Sequence, residues 1–180
     1  MVPRSVRTFL PVLGDPAAVA TAFDDDPARW LPGARRDGHD SYTIALRAGA
    51  FTRQVRARVG TPWFAGETRW RSLDWDSTGD EGDPEMVDHL LPALDGELGL
   101  HIQSGRVTLL LDGRYRPPGG ALGEAIDSVA LHRLARTTVE RFLEEVTARL
   151  GGEALLLDDG PIPSLSGHRP DHHRAPVGAR

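Results

Sequence analysis

The chain has 180 residues, 39% of them hydrophobic, with a formal charge of −5, which fits one domain of about 150 residues plus a tail and leaves apolar side chain enough for a real core. Cysteine, lysine and asparagine are all absent, so disulfides, thiolate nucleophiles, cysteine metal sites, lysine Schiff bases and a Walker A phosphate loop are excluded. The arginines are scattered among acids, which argues against a nucleic-acid footprint, and no run reaches the roughly eighteen apolar residues of a membrane span.

The opening MVPRSVRTFLPV lacks an apolar stretch long enough for export, so the expected location is the cytoplasm. Ser5 to Val12 reads as a strand with Val6, Thr8, Leu10 and Val12 on one face. Asp15-Pro16 and Asp26-Pro27 each set a capping carboxylate before a proline at the first helical position. They predict two short helices, AAVATAF and ARWL, the second stopped by Pro32-Gly33. Two such helices between strands make a bent arm and not a parallel crossover.

From His39 the pattern is strand after strand. Tyr42, Ile44 and Leu46 alternate with Thr43 and Ala45, and Gly49 turns the chain into Phe51 to Val59. Gly60-Thr61-Pro62 leads into a strand over Phe64 to Trp75. The next strand, Leu94 to Ile102, sets Leu98, Leu100 and Ile102 against Glu97, His101 and Gln103. Ser104-Gly105 is a two-residue hairpin signal into a strand from Val107, on which Val107, Leu109 and Leu111 share a face. These short connections predict an antiparallel meander with one covered face.

Pro117-Pro118-Gly119-Gly120 ends the last of these strands, and Ala121 to Leu150 then holds almost nothing that breaks a helix. At this length the helix would run roughly 45 Å. Leu131, Ala135, Val139, Phe142, Leu143, Val146 and Leu150 form one stripe, opposite Arg133, Arg136, Glu140 and Glu144. Towards the amino end the same stripe meets Ala121, Glu124, Ser128 and His132. Either that half packs sideways on a neighbouring element, or its small and polar side chains leave a cavity carrying a few polar groups. Gly151-Gly152 supplies the stop. Residues 153–180, rich in proline, glycine and charge, read as a disordered tail, which leaves 1–152 as the folded domain.

Four further groups carry possible chemistry. Asp74 to Glu85 nearly fits a calcium loop, but a strand precedes it and Glu81 stands where a hydrophobe belongs, so a solvated acidic loop is the expectation. His168, Asp171, His172 and His173 are metal-ligand types in a tail with nothing to orient them. Asp127, Ser128 and His132 do not make a triad, since Asp127 points about 100° away from Ser128 on the helical wheel. Finally, Arg53 shares a face with Phe51, Val55 and Ala57, and Arg69 and Arg71 share one with Leu73 and Trp75. Inward arginines need partners, for which Glu97, Glu67 or a ligand carboxylate are available, unless the strand alternation is misphased.

The order strand, two short helices, meander and long terminal helix is that of the helix-grip fold. Trp70-Arg71-Ser72, Leu91 to Leu98, Leu109 to Gly120 with its Tyr115-Arg116-Pro117-Pro118-Gly119-Gly120, and Asp127 resemble the START-like superfamily, also called SRPBCC, over about residues 4–150. The resemblance implies an α+β domain in which a curved antiparallel sheet of six to seven strands grips the helix around a cavity for apolar small molecules. Catalytic residues are not shared across that superfamily, so none is carried over. The candidate cavity residues are Glu124, Ser128, Leu131, His132, Ala135, Val139, Arg53 and Trp70. The expected function is binding or carrying an apolar or aromatic small molecule, with no cofactor and no metal. The alternatives are a polyketide cyclase- or aromatase-like enzyme, with His132 or Glu124 moving protons, and a structural or partner-binding domain with a filled core. Oligomeric state is not legible.

Overall fold

The computed structural model describes residues 4–48, 50–76, 93–116 and 128–154. Strand β1 (Arg4–Leu13) leads into α1 (Pro16–Asp24) and α2 (Pro27–Trp30). The caps are those the sequence predicts. The Asp15 carboxylate accepts the Ala17 and Ala18 N–H groups at 3.2 and 3.3 Å, and Asp26 accepts that of Ala28 at 3.0 Å. Then come β2 (Arg35–Arg36), β3 (Ser41–Ala48), β4 (Phe51–Val59), β5 (Trp63–Ala65), β6 (Thr68–Asp76), β7 (Ala93–Gln103) and β8 (Arg106–Arg116). Helix α3 (Ser128–Arg149) and β9 (Glu153–Ala154) complete the described residues.

One antiparallel sheet runs β2-β3-β4-β6-β7-β8-β1-β9, with β5 paired to β6. Its six long strands account for the expected sheet, and β2, β5 and β9 add pieces of two or three residues. The stretch read as one strand over Phe64 to Trp75 is two strands, because Gly66 adopts φ 60° and folds Trp63–Ala65 back on Thr68–Trp70. Glu153 and Ala154 pair with Leu13 and Val12, so the sheet continues two residues past the expected domain end. Residues 155–180, the calcium-like loop from 77 onward, Glu124 and Asp127 lie outside the described residues.

Helix α3 covers one face of this sheet and touches β1, β3, β8 and β9. Its stripe is as the periodicity predicts, with Ala135, Val139, Phe142, Leu143, Val146 and Leu150 all buried. Removing one of the larger of these side chains from water contributes about 1.5–3 kcal/mol. Gly96 faces Gly113 across β7 and β8. A Cβ on Gly96 would come within 2.7 Å of the Asp112 carbonyl oxygen, and one on Gly113 within 2.8 Å of that of Asp95. No side chain fits between the two strands there.

Candidate functional site: the inner face of the sheet

Strict alternation decides which side chains face α3. On β6, Arg71, Leu73 and Trp75 are buried, and on β4 so are Val55, Ala57 and Val59. Leu98 and Leu100 on β7 and Leu109, Leu111 and Tyr115 on β8 complete the inner wall. The face has two distinct ends. Helix α3 leads into β9, which pairs with Val12 and Leu13, so its C-terminus lies beside α1 and α2. Its N-terminus points to the far end, where β3 turns into β4 and where Asp76, Ala93 and Arg116 close their strands.

At the arm end two aromatic rings close over Arg71. The rings of Phe23 and Trp30 stack at 5.6 Å and 16°, and the Arg71 guanidinium lies 5.6 and 5.8 Å from their centroids. Arg71 is 4% exposed. Its Nε donates to the Phe23 carbonyl at 3.1 Å, Nη1 to that of Gly60 at 3.1 Å, and Nη2 to those of Asp24 and Asp25 at 3.0 and 3.1 Å. A cation thus satisfies the carbonyls that the last turn of α1 leaves open, at the negative end of the helix dipole. Burial pushes the Arg71 pKa down, while Asp24, Tyr42 and Asp26 pull it back up. Arg71 is inward, as its alternation with Leu73 and Trp75 requires, but its partners are backbone carbonyls and not Glu97 or Glu67. The neighbouring Arg69 pairs with Asp24 at 3.2 Å.

A second polar group braces this end. Arg36 lies 5.2 Å over the Tyr42 ring, donates to Asp26 at 2.6 Å and reaches the Tyr42 hydroxyl at 3.1 Å. The Ala28 N–H, and after it Arg36, hold the Asp26 carboxyl below the usual carboxylate range. Burial raises the Tyr42 phenol.

The far end is built differently. Leu94, Trp75 and Tyr115 are buried there, Arg53 is half-buried on the same face, and Phe51 beside the turn is 55% exposed. Trp75 meets Phe142 of α3 at 5.3 Å between ring centres. Among the expected cavity residues, Ala135 and Val139 are buried on the helix face toward the sheet, and Arg53 lies on the inner face. Ser128, Leu131 and His132 fall in the first turns of α3, where the described atoms are those of the backbone.

Trp70 requires a correction. It alternates with Arg71, so it sits on the outer face, where a Cβ on Gly99 would meet its ring at 2.7 Å. The sheet itself separates it from α3. Trp75 and Tyr115 were not among the expected cavity residues. The period of two that joins Leu109 and Leu111 reaches Tyr115 across Gly113, and Trp75 shares a face with Leu73, so the signal was present.

No family model matches the sequence, and no curated protein matches it. Solved structures do. The Zhui aromatase/cyclase from Streptomyces sp. R1128 is similar at 13% identity and a TM-score of 0.53, over 83% of this chain and 93% of that one. TTHA0849 from Thermus thermophilus is similar at 13% identity and a TM-score of 0.53, over 82% of this chain and 97% of that one. Ara h 8.0201 gives 10% identity and a TM-score of 0.52, over 83% of this chain and 98% of that one. At such identities the likeness is one of backbone. The chain has the helix-grip fold.

Proposed function

We propose that this chain binds or carries an apolar or aromatic small molecule between the inner face of the sheet and α3, entering from the far end. The observation that carries this reading is the mix of groups at that end. Trp75, Leu94 and Tyr115 line the inner face there with mostly apolar surface, Arg53 stands on the same face, and α3 contributes the small Ala135. Ligand pockets use this composition, mostly apolar with a few polar groups that fix orientation. Ser128, Leu131 and His132, one and two turns before Ala135 at helical spacing, extend the proposed wall toward Glu124.

Native mass spectrometry of purified protein tests the reading, together with uptake of an environment-sensitive apolar dye. A saturable dye site is expected in the parent. Ala135→Phe should abolish it while leaving stability unchanged or raised, because the new ring fills space the ligand would take. If Ala135 instead meets a close-packed neighbour, the same change costs about 1–3 kcal/mol by overpacking. That cost, with no saturable site and no co-purified molecule, would sink the proposal. A cyclase- or aromatase-like activity is the second reading, supported by the fold shared with a protein named an aromatase/cyclase. A candidate polyketide chain separates the two, since a carrier returns it unchanged.

A further inference from the structure

We propose that the groove between α1 and the β5–β6 hairpin binds a free α-amino acid with an apolar side chain. The groove is separate from the proposed pocket beside α3 and stands without it. The turn at Gly66, with φ 60°, folds β5 back so that Phe64 stands opposite Arg69. With Pro16, Ala17 and Ala20 of α1 and Ile102 of β7, these two residues line a groove of about 380 Å³. That volume suits a small molecule, since ligand pockets run from about 300 to 1,000 Å³. The lining is apolar except for two charged side chains, Glu67 and Arg69, which are opposite in sign.

Arg69 is fixed in place before any ligand arrives. Its guanidinium lies 5.2 Å from the centre of the Phe64 ring, and its Nε donates to Asp24 at 3.2 Å. Among the described residues, neither of its Nη groups donates a hydrogen bond. The end of the fork is therefore open to a pair of carboxylate oxygens. The N-terminus of α1 does not compete for that anion, because Asp15 already accepts the Ala17 and Ala18 N–H groups. Glu67 is exposed, and among the described residues its carboxylate accepts no hydrogen bond and makes no ion pair. A ligand with a carboxylate alone would meet Glu67 as a like charge, and one with an amine alone would meet Arg69 so. A ligand that carries both groups answers each charge with its opposite. Its apolar side chain then lies along Ala17, Ile102 and the Phe64 ring, which is 65% exposed without it.

Isothermal titration calorimetry of the full chain with L-phenylalanine tests this. One saturable site is expected. The analogues 3-phenylpropionate and phenethylamine each lack one charge and should bind at least about tenfold more weakly. Ala17→Phe fills the groove from an exposed position on α1 and should abolish binding with melting unchanged. Glu67→Gln, also at an exposed position, should weaken phenylalanine about tenfold and leave 3-phenylpropionate no weaker than in the parent. Arg69→Lys keeps the charge but not the fork, and should weaken both acids. Should Arg69→Lys fail to fold, Glu67→Gln and the two analogues still decide. No saturable heat in the parent, equal affinity for phenylalanine and 3-phenylpropionate, or binding that survives Ala17→Phe overturns the proposal. Binding that Ala135→Phe abolishes overturns it too, since the amino acid would then sit in the pocket beside α3.

Discussion

Arg71 and Arg53 point to the same face of the sheet, yet they live in different surroundings. Arg71 is enclosed by two aromatic rings and four carbonyl oxygens at the arm end, and little of it is left to meet another molecule. Arg53, at the far end, is half-buried between a buried Val55 and an exposed Phe51. The difference is set by what the chain delivers to each end. Two capped helices bring backbone carbonyls and aromatic rings to Arg71, whereas Arg53 stands next to the β3–β4 turn. An inward arginine on a sheet is thus structural at one end and, in the proposed function, part of the binding wall at the other. Charge and alternation alone do not separate the two roles. The surroundings that the tertiary fold supplies do.

The comparison can be broken at several places. The largest effect should come from the arm end: Phe23→Ala removes a fully buried ring from its stack with Trp30 and should cost about 3–5 kcal/mol in chemical denaturation. A loss under about 1 kcal/mol would show that the arm end is not close-packed. Arg71→Met keeps the stem between the rings but leaves the carbonyls of Phe23 and Asp24 without donors, so about 3 kcal/mol should be lost. Were Arg71→Met neutral, the structural role given to this arginine would be wrong.

Asp26→Ala should cost about 1 kcal/mol at neutral pH by uncapping α2. The sign of its pH dependence follows from the direction of the shift. Its folded pKa is depressed, so the stabilisation is fully present above the ordinary carboxylate pKa of about 3.9 and is lost as pH falls through the folded value. The variant should therefore show a shallower loss of stability on acidification below about pH 4. Parallel acid titrations of parent and variant followed by circular dichroism would refute the cap if their slopes matched. For Arg53→Leu, less buried than Arg71, a stability loss below that of Arg71→Met is expected, while dye uptake at the far end should fall. A stability loss equal to that of Arg71→Met would erase the distinction between the ends.

Much of this was legible in the sequence, and the failures have physical causes. The helix stripe from Ala135 to Leu150, the two Asp-Pro caps and the alternation of every long strand all rest on local periodicity and capping. The inward phase of Arg71 was readable too, but its partners were not, because α1 brings its carbonyls to the arginine only through the tertiary fold. Trp70 was assigned by the motif that contains it, against the alternation that places Arg71 inward. Strands β2, β5 and β9 span two or three residues and carry no period to read.

The pairing of β1 has a consequence for how the molecule is made. Leu10 pairs with Leu109, which is 109 − 10 = 99 positions further along the chain. A strand synthesised near the start therefore waits for β8 before it has a neighbour, and for β9 beyond α3 before its far edge is touched at all. Meanwhile the β3–β4 hairpin, whose partners lie close in sequence, can close early. High sequence separation of this kind slows folding, because the entropy of a long loop is lost before any contact rewards it. Of the described strands, β1 is synthesised first and is among the last to be held. Until β8 arrives, its apolar side chains and both of its hydrogen-bonding edges are open to any other unfinished chain nearby.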